Sequence, residues 1–295
     1  MVKIKTSTVS QNKPLIGFIG QGFIGKNYAD DFENRGYTVI RYALEASYAA
    51  NKDKIKDCDI VFIAVPTPTT PEGYNANIIR AVLPLTRIGS IVVLKSTILP
   101  GLTEKLQKEF SDRIVMHSPE FLSEATAAED AAHPFMNIVG ITEDSPKHRK
   151  AAELVHSVLP PVPFKKTVSS NEAELIKYSH NCSGYTQIIF FNLMYDLSVK
   201  LGADWKNIEQ ALKADPFIPN RYSSPLHKSG RGAGGHCFIK DFAAFSDSYN
   251  KRVGDELGKD VIQSMEEKNI DLLTKSEKDL DLLEGVYGKR VRKIK

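Results

Sequence analysis

Leu15-Ile16-Gly17-Phe18-Ile19-Gly20-Gln21-Gly22-Phe23-Ile24-Gly25 is the stretch whose reading decides the fold. Its first five residues form an apolar run, as expected of a strand buried on both faces. The run empties into G-x-G-x-x-G, and an amphipathic stretch at 24–35 opens on the third glycine. That context gives the glycine pattern a mechanism. Gly20 permits a tight turn, Gly22 lets backbone approach a pyrophosphate, and Gly25 lets helix and strand pack closely. Phe23 and Ile24 lie in the first helical turn, whose free N–H groups and dipole attract phosphate. The stretch predicts a dinucleotide-binding turn.

Outward from it, strand-like runs at 37–42, 60–65, 91–94, 114–117 and 137–141 alternate with helical stretches at 75–87, 102–110 and 145–158. Alternation of this kind predicts an α/β fold with a Rossmann-type doubly wound parallel sheet over 14–165. Leu159-Pro160-Pro161-Val162-Pro163 reads as a rigid linker. Beyond it no run reads as a strand, so 166–274 is expected to be all-helical. Its centre is one long helix at 171–201, about 47 Å at 1.5 Å per residue. Shorter helices are expected at 204–214 and 239–273. Residues 1–13 read as a flexible leader and 275–295 as a charged, solvated tail.

Composition excludes several classes. The 295 residues carry a net charge of only +3. The last seven hold five Lys/Arg, and removing those five cations from +3 leaves −2. Nucleic-acid binding therefore has no global electrostatic support. No run approaches the 18 apolar residues of a membrane span, and no secretory h-region opens the chain. Cys58, Cys182 and Cys237 form neither a disulfide framework nor a metal knuckle. The expectation is a cytoplasmic chain without metal, membrane or nucleic-acid partner.

The carboxylate that usually binds the adenosine ribose should stand near Ala43, where none is present; Glu45 follows two residues on. Arg41 could favour a 2′-phosphate instead. The reading is NAD, with NADP left open. A second glycine cluster, Gly230-Arg231-Gly232-Ala233-Gly234-Gly235-His236-Cys237-Phe238-Ile239-Lys240-Asp241, allows a backbone to wrap closely around a ligand. Its Cys237 stands near Lys240, a cation of the kind that favours a nucleophilic thiolate.

This dozen resembles the G-x-G-x-G-G-x-C-x-x-K-D signature of the UDP-glucose/GDP-mannose dehydrogenase family. The resemblance runs on, in order, through Val65-Pro66-Thr67-Pro68-Thr69-Thr70-Pro71-Glu72-Gly73, Lys95-Ser96-Thr97-Ile98-Leu99-Pro100-Gly101, Ser118-Pro119-Glu120-Phe121-Leu122-Ser123-Glu124 and Glu172-Ala173-Glu174-Leu175-Ile176-Lys177 with Asn181. It implies a nucleotide-sugar 6-dehydrogenase. Such an enzyme oxidises a sugar C6 alcohol to a carboxylate through a cysteine thiohemiacetal and thioester, on a UDP-glucose-like substrate.

The resemblance makes Cys237 the nucleophile and assigns the hydrolytic water to Asp241 and Thr97. Glu124 becomes a base or water-positioning group. Lys177 and Asn181, i and i+4 on one helix, would steady an oxyanion. Gly184 continues their face and would admit a close neighbour. Pro66, Thr67, Thr97 and Glu124 join the glycine turn in cofactor binding. Glu120, Phe121, Leu122, Lys177, Asn181, Gly232, Gly234, Gly235 and Lys240 are expected against substrate. His236 is too close in sequence to aim at Cys237. The family's long helix forms a dimer core, and Ile188, Ile189, Phe190, Phe191, Leu193, Met194 and Leu197 suit that use.

Three departures stand out: the displaced ribose carboxylate, a short 43–59 segment, and the expected absence of the family's C-terminal nucleotide-binding domain. The alternatives are a β-hydroxyacid dehydrogenase using only the Lys-Asn pair, and a degenerate, non-catalytic member of the fold.

Overall fold

The computed structural model describes residues 13–289 and 291. Its elements in order are β1 (Ile16–Ile19), α1 (Phe23–Asn34), β2 (Val39–Tyr42), α2 (Ala46–Ala49), β3 (Ile60–Ile63), β4 (Thr69–Thr70), β5 (Gly73–Tyr74), α3 (Asn77–Val82), β6 (Ile91–Leu94) and α4 (Leu102–Glu109). There follow β7 (Ile114–His117), α5 (Ala127–Ala132), β8 (Met136–Ile141), α6 (Pro146–Val158), β9 (Phe164–Ser169), α7 (Ser170–Lys200), α8 (Trp205–Ala214), α9 (Gly235–Arg252), α10 (Glu256–Lys275) and α11 (Leu280–Tyr287). They form two compact units. Among the described residues the first takes 13–66, 79–96 and 103–170, and the second takes 67–78, 97–102, 171–289 and 291.

The first unit is built on a seven-stranded sheet of order β2-β1-β3-β6-β7-β8-β9. β1, β3, β6 and β7 are apolar at nearly every position, with all four residues of each buried. Such strands tolerate helices on both faces. Phe18 stacks on Phe62 with ring centres 5.0 Å apart, and Phe32 of α1 meets both rings. Each aromatic ring so buried contributes about 1.5–3 kcal/mol. β1 lies between β2 and β3, so the winding reverses beside the glycine turn, at the crevice where doubly wound sheets take their ligands.

Two features depart from the sequence reading. β8 runs antiparallel to β7, so the sheet is only mostly parallel. The Pro-rich linker leads not into helix but into β9, which pairs in parallel with β8 over six residues. β9 was invisible to an apolar-run criterion because it is an exposed edge strand. Lys165 and Lys166 give it the charge that protects an edge from further pairing.

The second unit is helical apart from the β4–β5 hairpin, which packs on α9 and α11. Its spine is α7, 31 residues long. Tyr185 of α7 stacks on Phe242 of α9 at 3.8 Å, within a core that includes Ile189, Ile262 and Leu272. The stretch read as one helix at 239–273 is two, α9 and α10, broken around Gly254, whose φ is +69°. The segment read as a solvated tail carries α11, with Leu283 buried against Ile239, Ile270, Leu273 and Val291. Most of the expected leader (1–12) and most of the basic terminus (290 and 292–295) lie outside the described residues. Among the described residues no helix is long and apolar enough to cross a membrane, and no His/Cys/Asp/Glu group could hold a metal.

Candidate active site

In the first unit, the glycine turn separates packing demands from ligand demands. A Cβ on Gly20, at φ +93°, would fall 2.3 Å from the Ala64 carbonyl oxygen. On Gly25 it would fall 1.9 Å from the Gly20 carbonyl oxygen. Both glycines are thus required by the protein itself. Gly22 meets nothing within 4 Å. Gly22 is also the N-cap of α1, makes no side-chain cap, and has no acidic residue in the turn beyond it. An open cradle over uncapped N–H groups fits a pyrophosphate.

Arg41 is not a free strand-end cation. It donates to Asp30 Oδ1 at 2.6 Å and makes a fork with Glu33, at 3.0 and 2.7 Å. Its donors are spent on α1 rather than offered to a 2′-phosphate. Ala43 stands at the end of β2 as expected, and Glu45 is exposed at the start of α2.

Glu120, buried, folds its Oε2 back to accept from the Leu122 N–H at 2.8 Å. Phe121 packs on Phe135, while Glu124 is exposed in the turn before α5. The sequence reading overlooked Lys95. It is only 2% exposed, donates to Ser118 Oγ at 3.1 Å and lies 4.5 Å over the Tyr28 ring. Burial, and then the Glu120 carboxylate, push the Tyr28 hydroxyl above its usual range. A lysine ending an apolar strand is the signal that could have flagged it.

In the second unit, two helices each bring an i, i+4 pair. Lys177 and Asn181 share a face of α7, and Cys237 and Asp241 share a face of α9. The faces meet where Asn181 Nδ2 donates to Asp241 Oδ2 at 2.6 Å. Lys240 Nζ pairs with the other oxygen, Asp241 Oδ1, at 2.5 Å. Lys240, expected against substrate, is thus ion-paired to Asp241. Asp241, Asn181 and Lys177 are all buried, while Cys237 is exposed.

Gly184 earns its place on α7, since a Cβ there would lie 2.8 Å from Tyr222 and 3.0 Å from Phe238. Tyr178 is a second residue that sequence reasoning missed. Its buried hydroxyl has no hydrogen-bond partner among the described residues. Burial and the neighbouring Asp241 hold its pKa well above the usual range.

Cys237 lies in the first turn of α9, not in a loop. The dipole of a helix start favours negative charge on a nearby sulfur. Thr97 is buried, and its carbonyl accepts from Thr67 Oγ1 at 2.8 Å and from Tyr74 Oη at 3.2 Å. Glu174 Oε2 accepts from the Gly101 N–H at 2.6 Å, which pins the same segment to α7. Pro66, by contrast, closes β3 in the first unit.

Residues 41–159 match the NAD binding domain of the UDP-glucose/GDP-mannose dehydrogenase family, and 171–270 match its central domain. The chain belongs to this family. A putative UDP-glucose 6-dehydrogenase of Bacillus subtilis is 31% identical over 207 residues, covering 65% of this chain and 46% of that protein. A UDP-glucose dehydrogenase structure from Pyrobaculum islandicum superposes with a TM-score of 0.73 at 24% identity, covering 88% of this chain and 69% of that one. A Mycobacterium tuberculosis 3-hydroxyisobutyrate dehydrogenase shares the fold at a TM-score of 0.65 and 15% identity, covering 88% of this chain and 96% of that one. The chain spans about half the length of the curated family relatives it matches.

Proposed function

We propose that this chain carries the cofactor-binding and chemical parts of an NAD-dependent nucleotide-sugar 6-dehydrogenase acting on a UDP-glucose-like substrate. The observation that carries the reading is the hydrogen bond from Asn181, one helical turn from Lys177, to Asp241, one helical turn from an exposed Cys237 at a helix start. A hydroxyacid dehydrogenase needs the Lys-Asn pair but has no use for a thiol in that setting.

Gly20, Gly22 and Gly25 with the start of α1 would hold NAD, joined by Pro66, Thr67, Thr97 and Glu124. When bound, NAD accepts one hydride in each of two oxidations. The chain's own residues manage charge and protons. Lys177 and Asn181 supply an ammonium and an amide N–H to steady the oxygen of the alcohol as its proton passes to solvent and its carbon gives up hydride. The Cys237 thiolate adds to the aldehyde carbon, and its oxygen takes the negative charge. Loss of hydride from that carbon leaves a thioester. Asp241, with Thr97, positions a water; its oxygen attacks the thioester carbon, its proton passes to the Asp241 carboxylate, and the sulfur leaves as thiolate. Glu124 stands as an additional base. Glu120, Phe121 and Leu122 are assigned to the substrate.

We also assign the exposed apolar stripe of α7 to a second copy of the chain. Phe190, Leu193, Met194 and Leu197 are each 41–54% exposed. Phe190 and Met194 border an apolar cavity of about 590 Å³ shared with Trp205 and Phe217.

A spectrophotometric assay of purified protein tests the activity. Two NADH formed per UDP-glucose, GDP-mannose or UDP-N-acetylmannosamine support the reading. Cys237→Ala should stop carboxylate formation. Its full survival in that variant, or turnover on small hydroxyacids alone, would overturn the reading.

A further inference from the structure

The glycine-rich segment before Cys237 is held by the part of the chain whose composition suggested a tail. Its backbone polar groups are engaged in order. The Arg231 N–H donates to Ser276 Oγ at 3.0 Å. Lys278 Nζ donates to the Gly232 carbonyl at 2.9 Å. Asn269 both accepts from the Ala233 N–H at 2.7 Å and donates to the Ala233 carbonyl at 3.0 Å. The Gly235 N–H donates to Asp279 Oδ2 at 2.7 Å. Three of these four side chains come from the short turn between α10 and α11.

The glycines have packing reasons to match. A Cβ on Gly234 would fall 2.0 Å from Asp279 Oδ2, and one on Gly230 would fall 2.5 Å from the Ser276 Cβ. On Gly232, at φ +92°, it would lie 3.0 Å from Asn269 Oδ1. Gly22, by contrast, has open space around it. Gly232 and Gly234 are instead pressed against their own protein.

Helix α9 also lacks a cap of its own, because its N-cap residue is Gly234. The Asp279 carboxylate supplies that cap from 44 residues downstream. It does so at a backbone cost. Asp279 and Glu277 both have φ of +53°, the left-handed region that disfavours residues with a Cβ. Lys278, between them, has its ammonium buried against the Gly232 carbonyl. Strain of this sort persists where surrounding structure over-determines it.

The geometry points to Lys278 and Asp279 as positioning residues for Cys237, holding the glycine segment and the first turn of α9 so that the sulfur sits at a capped helix start. The inference rests on Cys237 being the reactive thiol, and its test does not require turnover. Alkylation of Cys237 by iodoacetamide, followed by peptide mass mapping, is measured on the full chain at fixed pH. Asp279→Ala, which removes the cap, should slow it about five- to tenfold, the scale of a lost N-cap. Asp279→Asn keeps an acceptor for the Gly235 N–H and should restore the rate to within about twofold. Lys278→Met keeps the stem, loses the donor, and should slow alkylation several-fold.

Where Asp279→Ala does not fold, Lys278→Met and Asp279→Asn decide. Unchanged alkylation in folded Lys278→Met, or a folded Asp279→Asn as slow as a cap deletion, overturns the assignment. Absence of sugar oxidation by the wild-type chain would count against the dehydrogenase reading alone. It would leave the alkylation comparison intact.

Discussion

At the residue scale, three glycines of similar appearance have different causes. Gly25 is forced by the Gly20 carbonyl and Gly234 by Asp279, while Gly22 is crowded by nothing. Gly25→Ala should therefore destabilise the chain by about 1–3 kcal/mol or more, as overpacking does. Gly22→Ala should cost less than about 1 kcal/mol of stability, yet weaken NAD binding about tenfold or more, roughly 1.4 kcal/mol. Denaturant titration and cofactor fluorescence titration measure the two effects separately. The G-x-G-x-x-G spacing was legible because strand, turn and helix follow one another locally. The partners of Lys240 were not, since a lysine beside a thiol reads as tuning the thiol. Only the packed helices show Lys240 ion-paired to Asp241 and Asn181 closing on the same carboxylate.

At the element scale, α7 was legible in length because apolar residues recur around it without a break. Which side faces solvent was not legible, because a helix apolar on most sides does not label its partners. The structure leaves Phe190, Leu193, Met194 and Leu197 exposed and buries Ile189 and Phe191. Leu193→Asp together with Leu197→Asp should convert the chain from dimer to monomer, with helical content retained. Sedimentation equilibrium and circular dichroism check this outcome; a monomeric wild-type chain would refute the assignment. β9 and α11 were missed for opposite reasons. β9 is polar because it is an edge, and α11 is short and surrounded by charge. Yet Leu282, Leu283 and Val286 recur at helical spacing and pack into the core around Ile239.

At the scale of the whole molecule, burial divides the three thiols. Cys58, fully buried and flanked by Asp57 and Asp59, has its pKa pushed up to about 12, chiefly by burial. Cys182 is likewise pushed up to about 12 by burial, and then by Asp241. The folded chain keeps both protons at pH values where an unfolded chain releases them. Their contribution to stability is thus full below about pH 9 and is lost as pH rises toward 12. Denaturation midpoints should fall across that window, and less steeply in the Cys58→Ala Cys182→Ala double variant. A single domain boundary near 160–170 was read from composition, whereas short segments at 67–78 and 97–102 cluster with the helical unit. Those segments sit directly after strands of the sheet, and composition cannot register which core a turn joins. The sequence alone determined the alternating α/β unit, the dinucleotide turn and the long helix. These follow from local periodicity and short spacing, which a linear chain displays. Tertiary structure alone decided that Asn181 and Asp241 meet, that Arg41 is spent on α1, and that the C-terminal residues brace the cysteine segment. Those contacts join positions 8 to 60 residues apart on different elements, and only packing brings them together.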